Sequence, residues 1–197
     1  MVTGQRGRPR SFDRDAALDT ALRVFWERGY EATSIADLTR ELGIGAPSLY
    51  AAFGDKRTLF EEVVTAYGGR YGGFAAVALA EEPTAAAAVR RVLREAAVIY
   101  TDPAHPKGCM VISAAINTTS DEVAEALRER RNENLATFES RIAADVATGA
   151  LPVDTDARAL ARYVGAVLQG MSQQARDGAG REELEAVAET AMRAWPR

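Results

Sequence analysis

Cysteine and histidine are almost absent from this chain, which has one of each in 197 residues, Cys109 and His105. A single cysteine excludes an internal disulfide, and neither residue type recurs at the spacing a transition-metal site needs. No glycine-rich phosphate loop follows a strand, and no nucleophile, base and orienting group stand out together. Cys109 and His105 are four residues apart across a proline-containing break, which gives no reason to expect a dyad. An enzyme is therefore not expected, nor is a cofactor or a metal. Long apolar runs are missing as well, and no signal peptide is visible, so no membrane partner is expected and the cytoplasm is the default compartment.

Nearly half of the residues are apolar, 47%, enough for a real core. Alanine dominates this set, valine, isoleucine and the aromatics are modest in number, and glycine and proline fall mostly at breaks. That balance favours helices over strands and predicts an all-α protein. The net charge of −4 hides an asymmetry. Residues 1–57 carry nine Lys/Arg against eight Asp/Glu, whereas residues 58–197 carry fifteen against twenty. The basic residues bunch at the front, where "GQRGRPRSFDR" holds Arg6, Arg8, Arg10 and Arg14 against Asp13 alone. An arginine arm punctuated by Gly7 and Pro9 suits a polyanion, above all the narrow minor groove of DNA. A solvated terminal tail would have the same composition.

Leu18, Ala21, Leu22, Phe25 and Trp26 recur at three- and four-residue spacing and predict a first helix over 14–28, stopped by Gly29. Phe25, Trp26 and, further on, Phe53 read as core. Ser34 with Asp37 three residues later forms a capping box for a second helix over 35–42. In the turn "GIG", residues 43–45, Gly43 can take positive φ and Gly45 can cap the next helix, in whose first turn Pro47 loses nothing. Two short helices joined by a glycine turn make a helix-turn-helix. Its second helix is too short to be stable alone. Leu49 and Phe53 pin one face, and the other is free to enter a groove. Asp55 caps a fourth helix, setting Lys56 and Arg57 at an N-terminus that already favours phosphate. Four glycines in "GGRYGGF", residues 68–74, cost roughly 1 kcal/mol each in a helix interior and predict a bend, a frayed end or a close backbone approach. Further helices are expected over about 84–101, 109–118, 121–149 capped by Ser120, 155–176 capped by Asp154, and 181–195.

The stretch "GYEATSIADLTRELGIGAPSLYAAFGDKRTLFEEVV", residues 29–64, closely resembles the DNA-binding domain of the TetR family of bacterial transcriptional regulators. Gly29, Tyr30, Thr33, Ser34, Gly43, Ile44, Leu49, Tyr50, Phe53 and Lys56 occupy the family's positions. The resemblance implies an N-terminal three-helix DNA-binding domain, residues 1–57, joined to a larger helical ligand-binding and dimerisation domain, residues 58–197, with about nine helices in all. By that resemblance Tyr50 and Lys56 contact phosphate, and Thr33 and Ser34 are further candidates, although capping alone explains Ser34. A core tyrosine and a solvated lysine are the plain alternatives for Tyr50 and Lys56. The recognition helix is poor in hydrogen-bonding side chains, so base readout would fall to Ser48, to methyl contacts from Ala46 and Pro47, and to the arm.

The family's cavity-lining helices carry Tyr67, Tyr71, Phe74, Tyr100, Cys109, Met110, Ser113, Asn117, Phe138 and Tyr163 here. Mixed aromatic and small polar residues fit a modest organic molecule, and ordinary core packing would also place them inside. Cys109 follows "HPKG" at an apparent helix start, where Lys107 and the helix dipole would lower its pKa. A buried, inert thiol is the alternative. Leu160, Val164, Leu168 and Met171, with Leu184, Val187 and Ala191, form stripes on the last two helices. In the family these helices pair two subunits, and two recognition helices need a dimer to reach successive major grooves. The implied function is a homodimeric repressor that leaves its double-stranded operator when a small organic effector binds. The alternatives are an electrophile or redox sensor of the same architecture acting through Cys109, and a helical ligand-binding scaffold that no longer binds DNA.

Overall fold

The computed structural model describes residues 12–196. Among these residues there is no strand, and ten α-helices and one π-helical turn form the molecule. They are α1 Arg14–Arg28, α2 Ile35–Leu42, α3 Ala46–Phe53, α4 Lys56–Tyr67, the π turn Gly68–Gly72, α5 Phe74–Glu81, α6 Ala85–Thr101, α7 Met110–Ser113, α8 Asp121–Ala147, α9 Ala157–Arg176 and α10 Arg181–Arg193.

Local chemistry sets most of these ends. Asp13, Ser34, Asp55, Thr84, Ser120 and Asp156 each accept a backbone N–H at the start of the helix that follows, satisfying donors that have no partner inside a helix. Asp156, not Asp154, caps α9. Both aspartates precede the apolar periodicity, and sequence alone does not separate them. The four-glycine run is wound as the π turn, which joins α4 to α5, a helix absent from the expected set. Half of its residues are alanine and it has no polar face, so it lacks the amphipathic period that reveals a helix.

Two apolar cores lie side by side. One is built from α1 to α4 and includes Phe25, Trp26, Leu38, Leu49, Phe53 and Phe60. It also takes in Met110, Val111 and Ala114 around α7 and Val123 and Leu127 of α8. The other joins α5, α6, α8, α9 and α10. The first core therefore reaches well past residue 57, and α7 with the start of α8 packs into the helix-turn-helix unit.

A buried carboxylate ties the second core together. Asp145 on α8 is 6% exposed and accepts the backbone N–H of Ala85 at 2.6 Å, with Arg141 at 3.7 Å. Replacing it with Ala strands that N–H, while Arg141 keeps its hydrogen bond to the Glu82 carbonyl, and a buried donor without a partner costs about 1–3 kcal/mol. For a chain of this length the expected fall in Tm is about 2–12 °C. In Asp145→Asn the remaining carbonyl oxygen still accepts, so calorimetry should find most of the stability restored. Equal losses in the two variants would rule out the hydrogen bond as the cause.

Candidate nucleic-acid interface and effector cavity

The helix-turn-helix is held at its turn by Gly43, which has φ 66°, the left-handed conformation that ends α2 and that other residues rarely adopt. In α3, Leu49 and Phe53 are buried, and Pro47, Ser48, Tyr50 and Ala51 face solvent. Tyr50 is 49% exposed. Ala46 is half-buried. Gly45 provides no side-chain cap for α3.

Lys56 opens α4 with its ammonium 4.2 Å from the centre of the Tyr30 ring. Partial burial holds its pKa below the ordinary lysine value, and Glu31 acts in the opposite direction. The cation is thus fixed on an aromatic face at a helix N-terminus, where a phosphate oxygen would be attracted by both. Arg57 is paired with Glu61.

Of the expected phosphate contacts, Thr33 differs and Ser34 has its capping role. Thr33 is fully buried and donates its hydroxyl to the Gly29 carbonyl at 2.7 Å, so its side chain closes the turn after α1 and faces no surface. Ser34 is exposed, but its hydroxyl completes the capping box, donating to Asp37 at 2.6 Å and accepting the Asp37 N–H at 3.1 Å. Hydrogen bonds from Ser34 and Arg40 hold the Asp37 carboxyl far below the usual carboxylate range. Arg6, Arg8 and Arg10 lie outside the described residues. The chain enters the described part beside α3. Phe12 packs on Phe53 with ring centres 6.4 Å apart, and Arg14 pairs with Glu62 at 2.7 Å while lying 4.6 Å from the Phe53 ring centre.

A cavity of about 270 Å³ lies between the α4–α5 junction, α6, α7, α8 and α9. Tyr67, Phe74, Tyr100, Cys109 and Phe138 line it, as do Gly68, Gly72, Leu135, Gly165, Leu168, Gln169, Asn134, Glu133, Arg130 and Arg131. Burial pushes the Tyr67 and Tyr100 hydroxyls well above the usual phenol value, and the neighbouring Cys109 adds to this. Gly165 allows the close approach of α8, since a Cβ there would lie 2.6 Å from Leu135 Cδ2.

Five of the expected lining residues lie elsewhere. Tyr71 packs on Trp26 and His105. Met110 is fully buried in the first core, and Ser113 donates to the Cys109 carbonyl. Asn117 forms a turn with φ 63°. Tyr163 sits on the outer side of α9 and donates its hydroxyl to Ala191 O of α10 at 3.1 Å. Of the two readings of the Cys109 thiol, the lowered pKa is the one the structure does not give. Burial raises its pKa, outweighing hydrogen bonds from Tyr67 and Tyr100 that act the other way. The helix it opens has four residues, and Lys107 donates its ammonium to Thr101 O. The arginines of α8 were the residues that sequence reasoning missed. Their signal was present: Val123, Leu127, Leu135, Phe138, Ile142 and Val146 form the inward stripe, and Arg131 occupies the four-residue step between Leu127 and Leu135.

The expected partner-facing stripes prove to be mostly internal. Val164, Met171, Leu184 and Ala191 are buried within the subunit's own core, and Leu160, Leu168 and Val187 are partly covered by it. The outer faces of α9 and α10 instead form a shallow groove with Tyr163, Val167, Ala186, Val187 and Thr190.

A helix-turn-helix with a free recognition face, fused to a helical body with a cavity between its helices, defines a regulator of the one-component type. Comparison with known proteins agrees. The model described as bacterial regulatory proteins, tetR family, matches residues 17–63, and that described as tetracyclin repressor-like, C-terminal domain, matches residues 85–193. The HTH-type transcriptional repressor ComR of Escherichia coli (strain K12) is 37% identical, covering 99% of this chain and 94% of its own. BdcR, another HTH-type transcriptional repressor of that strain, is 33% identical over 95% of this chain and 93% of its own. A cysteine mutant of the TetR family transcriptional regulator CifR, complexed with a 26-bp double-strand operator DNA, superposes with a TM-score of 0.91. Its identity is 45%, with coverage of 96% of this chain and 100% of that one. This chain belongs to the TetR family of transcriptional regulators. Among the described residues no helix is long and apolar enough to cross a membrane.

Proposed function

We propose that this regulator is a homodimeric repressor, acting in the cytoplasm and without enzymatic activity, that binds operator DNA through residues 1–57 and is released by a small molecule bound in residues 58–197. The observation that carries this reading is that the cavity adjoins the π turn at the end of α4, the helix whose first residue is Lys56. An effector and a phosphate would thus act on opposite ends of one helix. The effector need only bind better to the geometry unsuited to the operator for the population to leave DNA.

A second link joins the cavity to the DNA-binding unit. Val111 and Ile112 line the cavity, and the chain directly after them accepts the Tyr30 N–H at Ala114 O, 2.7 Å. Further on, Thr118 and Thr119 donate to Glu31 at 2.9 to 3.0 Å. Movement of α7 would reach the start of α2 without passing through α4.

Two copies would meet through the outer groove of α9 and α10. A half-site spacing of about 34–36 Å in the operator follows from placing two recognition helices in successive major grooves. Selective binding to DNA flanking the gene, weakening steeply with salt, is the expected result of a titration by fluorescence anisotropy. Val167→Glu with Val187→Glu should yield a folded monomer by light scattering, with operator affinity lost. If no genomic fragment is selected, the scaffold reading replaces this one.

A further inference from the structure

We propose that the effector is a small organic acid, an apolar body carrying one carboxylate, held by Arg130 and Arg131 at one wall of the cavity. The proposal rests on the effector reading of that cavity. Arg128, on the same helix, pairs with Glu125. Arg130 and Arg131 have no ion pair within 4.0 Å among the described residues, although both line the cavity. Arg131 donates one N–H to Val111 O at 2.9 Å, and burial lowers its pKa with Arg128 adding to the effect. A guanidinium has five N–H donors, so most of its capacity is unspent. Arg130 is half-buried and lies along the π turn, its Nη1 3.5 Å from where a Gly68 Cβ would stand.

The remaining wall decides the rest of the ligand. Phe74, Phe138 and Leu168 offer apolar contact, which suits an aliphatic chain or a single ring. Glu133 is the one carboxylate on the wall, and with the two arginines it leaves a single excess positive charge. One carboxylate balances that charge and takes the paired donors of a guanidinium. A phosphate dianion would overcompensate it in a largely apolar setting. A cavity of about 270 Å³ lies just below the usual range of ligand pockets, about 300–1,000 Å³, and favours an acid of modest size. An anion drawing on Arg130 would also pull at the π turn against which that side chain rests, so recognition and the signal to α4 would share one contact.

Calorimetric titration of the full-length protein with two matched pairs, octanoate with octanamide and cinnamate with cinnamamide, tests this. At least one acid should bind about tenfold more tightly than its amide. Arg130→Gln, at a side chain that makes no hydrogen bond among the described residues, should erase that preference while circular dichroism shows the fold retained, with Arg131→Gln as a second reading. Amides binding as well as acids, no acid binding up to ~5 mM, or a preference that survives both arginine variants would each overturn the proposal. Leu168→Trp, which fills the cavity, separates the two levels. Amide binding that it blocks keeps the effector cavity and removes only the charge requirement, whereas acid binding that it leaves intact refutes the cavity itself.

Discussion

Replacing Tyr50 with Phe and Lys56 with Ala together is expected to weaken operator binding by about 100-fold or more at moderate salt. A hydrogen bond to a charged group contributes about 1.5–3 kcal/mol, and a symmetric dimer loses each contact twice. Each lysine neutralises one phosphate, so the slope of log affinity against log salt should shallow by roughly two for the dimer. The fold has little stake in either side chain. Tyr50 is half-exposed, and Lys56 gives up only its contact with the Tyr30 ring, worth about 0.5–1 kcal/mol at such a site. Anisotropy titrations at two salt concentrations, with circular dichroism as a check on folding, decide the matter. An affinity within twofold of the parent would remove both residues from the DNA interface.

The largest effect on stability is expected at Trp26. Its indole is fully buried among Tyr67, Tyr71 and His105, with ring centres 4.8, 5.0 and 4.5 Å away. These partners come from the end of α4, the π turn and the loop before α7, so one side chain of α1 fills the place where the DNA-binding unit meets the body. The carbonyls of Trp26 and Glu27 also accept hydrogen bonds from Arg176 of α9. Truncation to Ala should cost about 3–5 kcal/mol, as large-to-small changes at aromatic core positions do, and lower Tm by roughly 6–20 °C. Trp26→Phe should cost far less. It keeps a ring against the same partners and discards an indole N–H that meets no acceptor among the described residues. Differential scanning calorimetry of the pair separates lost packing from a lost polar contact. Losses of equal size would place the stabilisation in the indole itself and not in the ring packing that Phe retains.

The cluster around Trp26 also bears on how the two functions are joined. The glycine-rich turn at 68–72 supplies Tyr71 to the stack and two glycines to the cavity. Its π winding marks a place where the helical ladder is locally altered, as such turns often do near functional sites. A ligand that shifts this turn changes the packing on Trp26 as well as the direction of α4.

Much of the architecture was legible before any coordinates. Capping boxes, glycine stops and apolar periods act within a few residues, so α1 and α2 could be bounded from the chain alone, and the helix-turn-helix followed from "GIG" with Pro47. Interactions of longer range were not encoded in that local form. A hydroxyl such as that of Thr33 reads the same whether it faces a phosphate or the Gly29 carbonyl. Cys109 carries a helix-start signature that favours a lowered pKa, but the walls that bury it come from α4 and α6. On α9 and α10 the apolar stripes identified which residues are covered, yet whether α6 and α8 or a second subunit covers them depends on how the helices dock. Arg131 shows the same division. Its place in an apolar stripe was written in the sequence, and only the packing of α7 and α9 against α8 turned that misfit into a cation lining a cavity. Local hydrogen bonding and periodicity determine the elements, because their partners are near in the chain. Burial, charge pairing and the facing of a helix are settled by partners far away in sequence, and those appear only when the helices have packed.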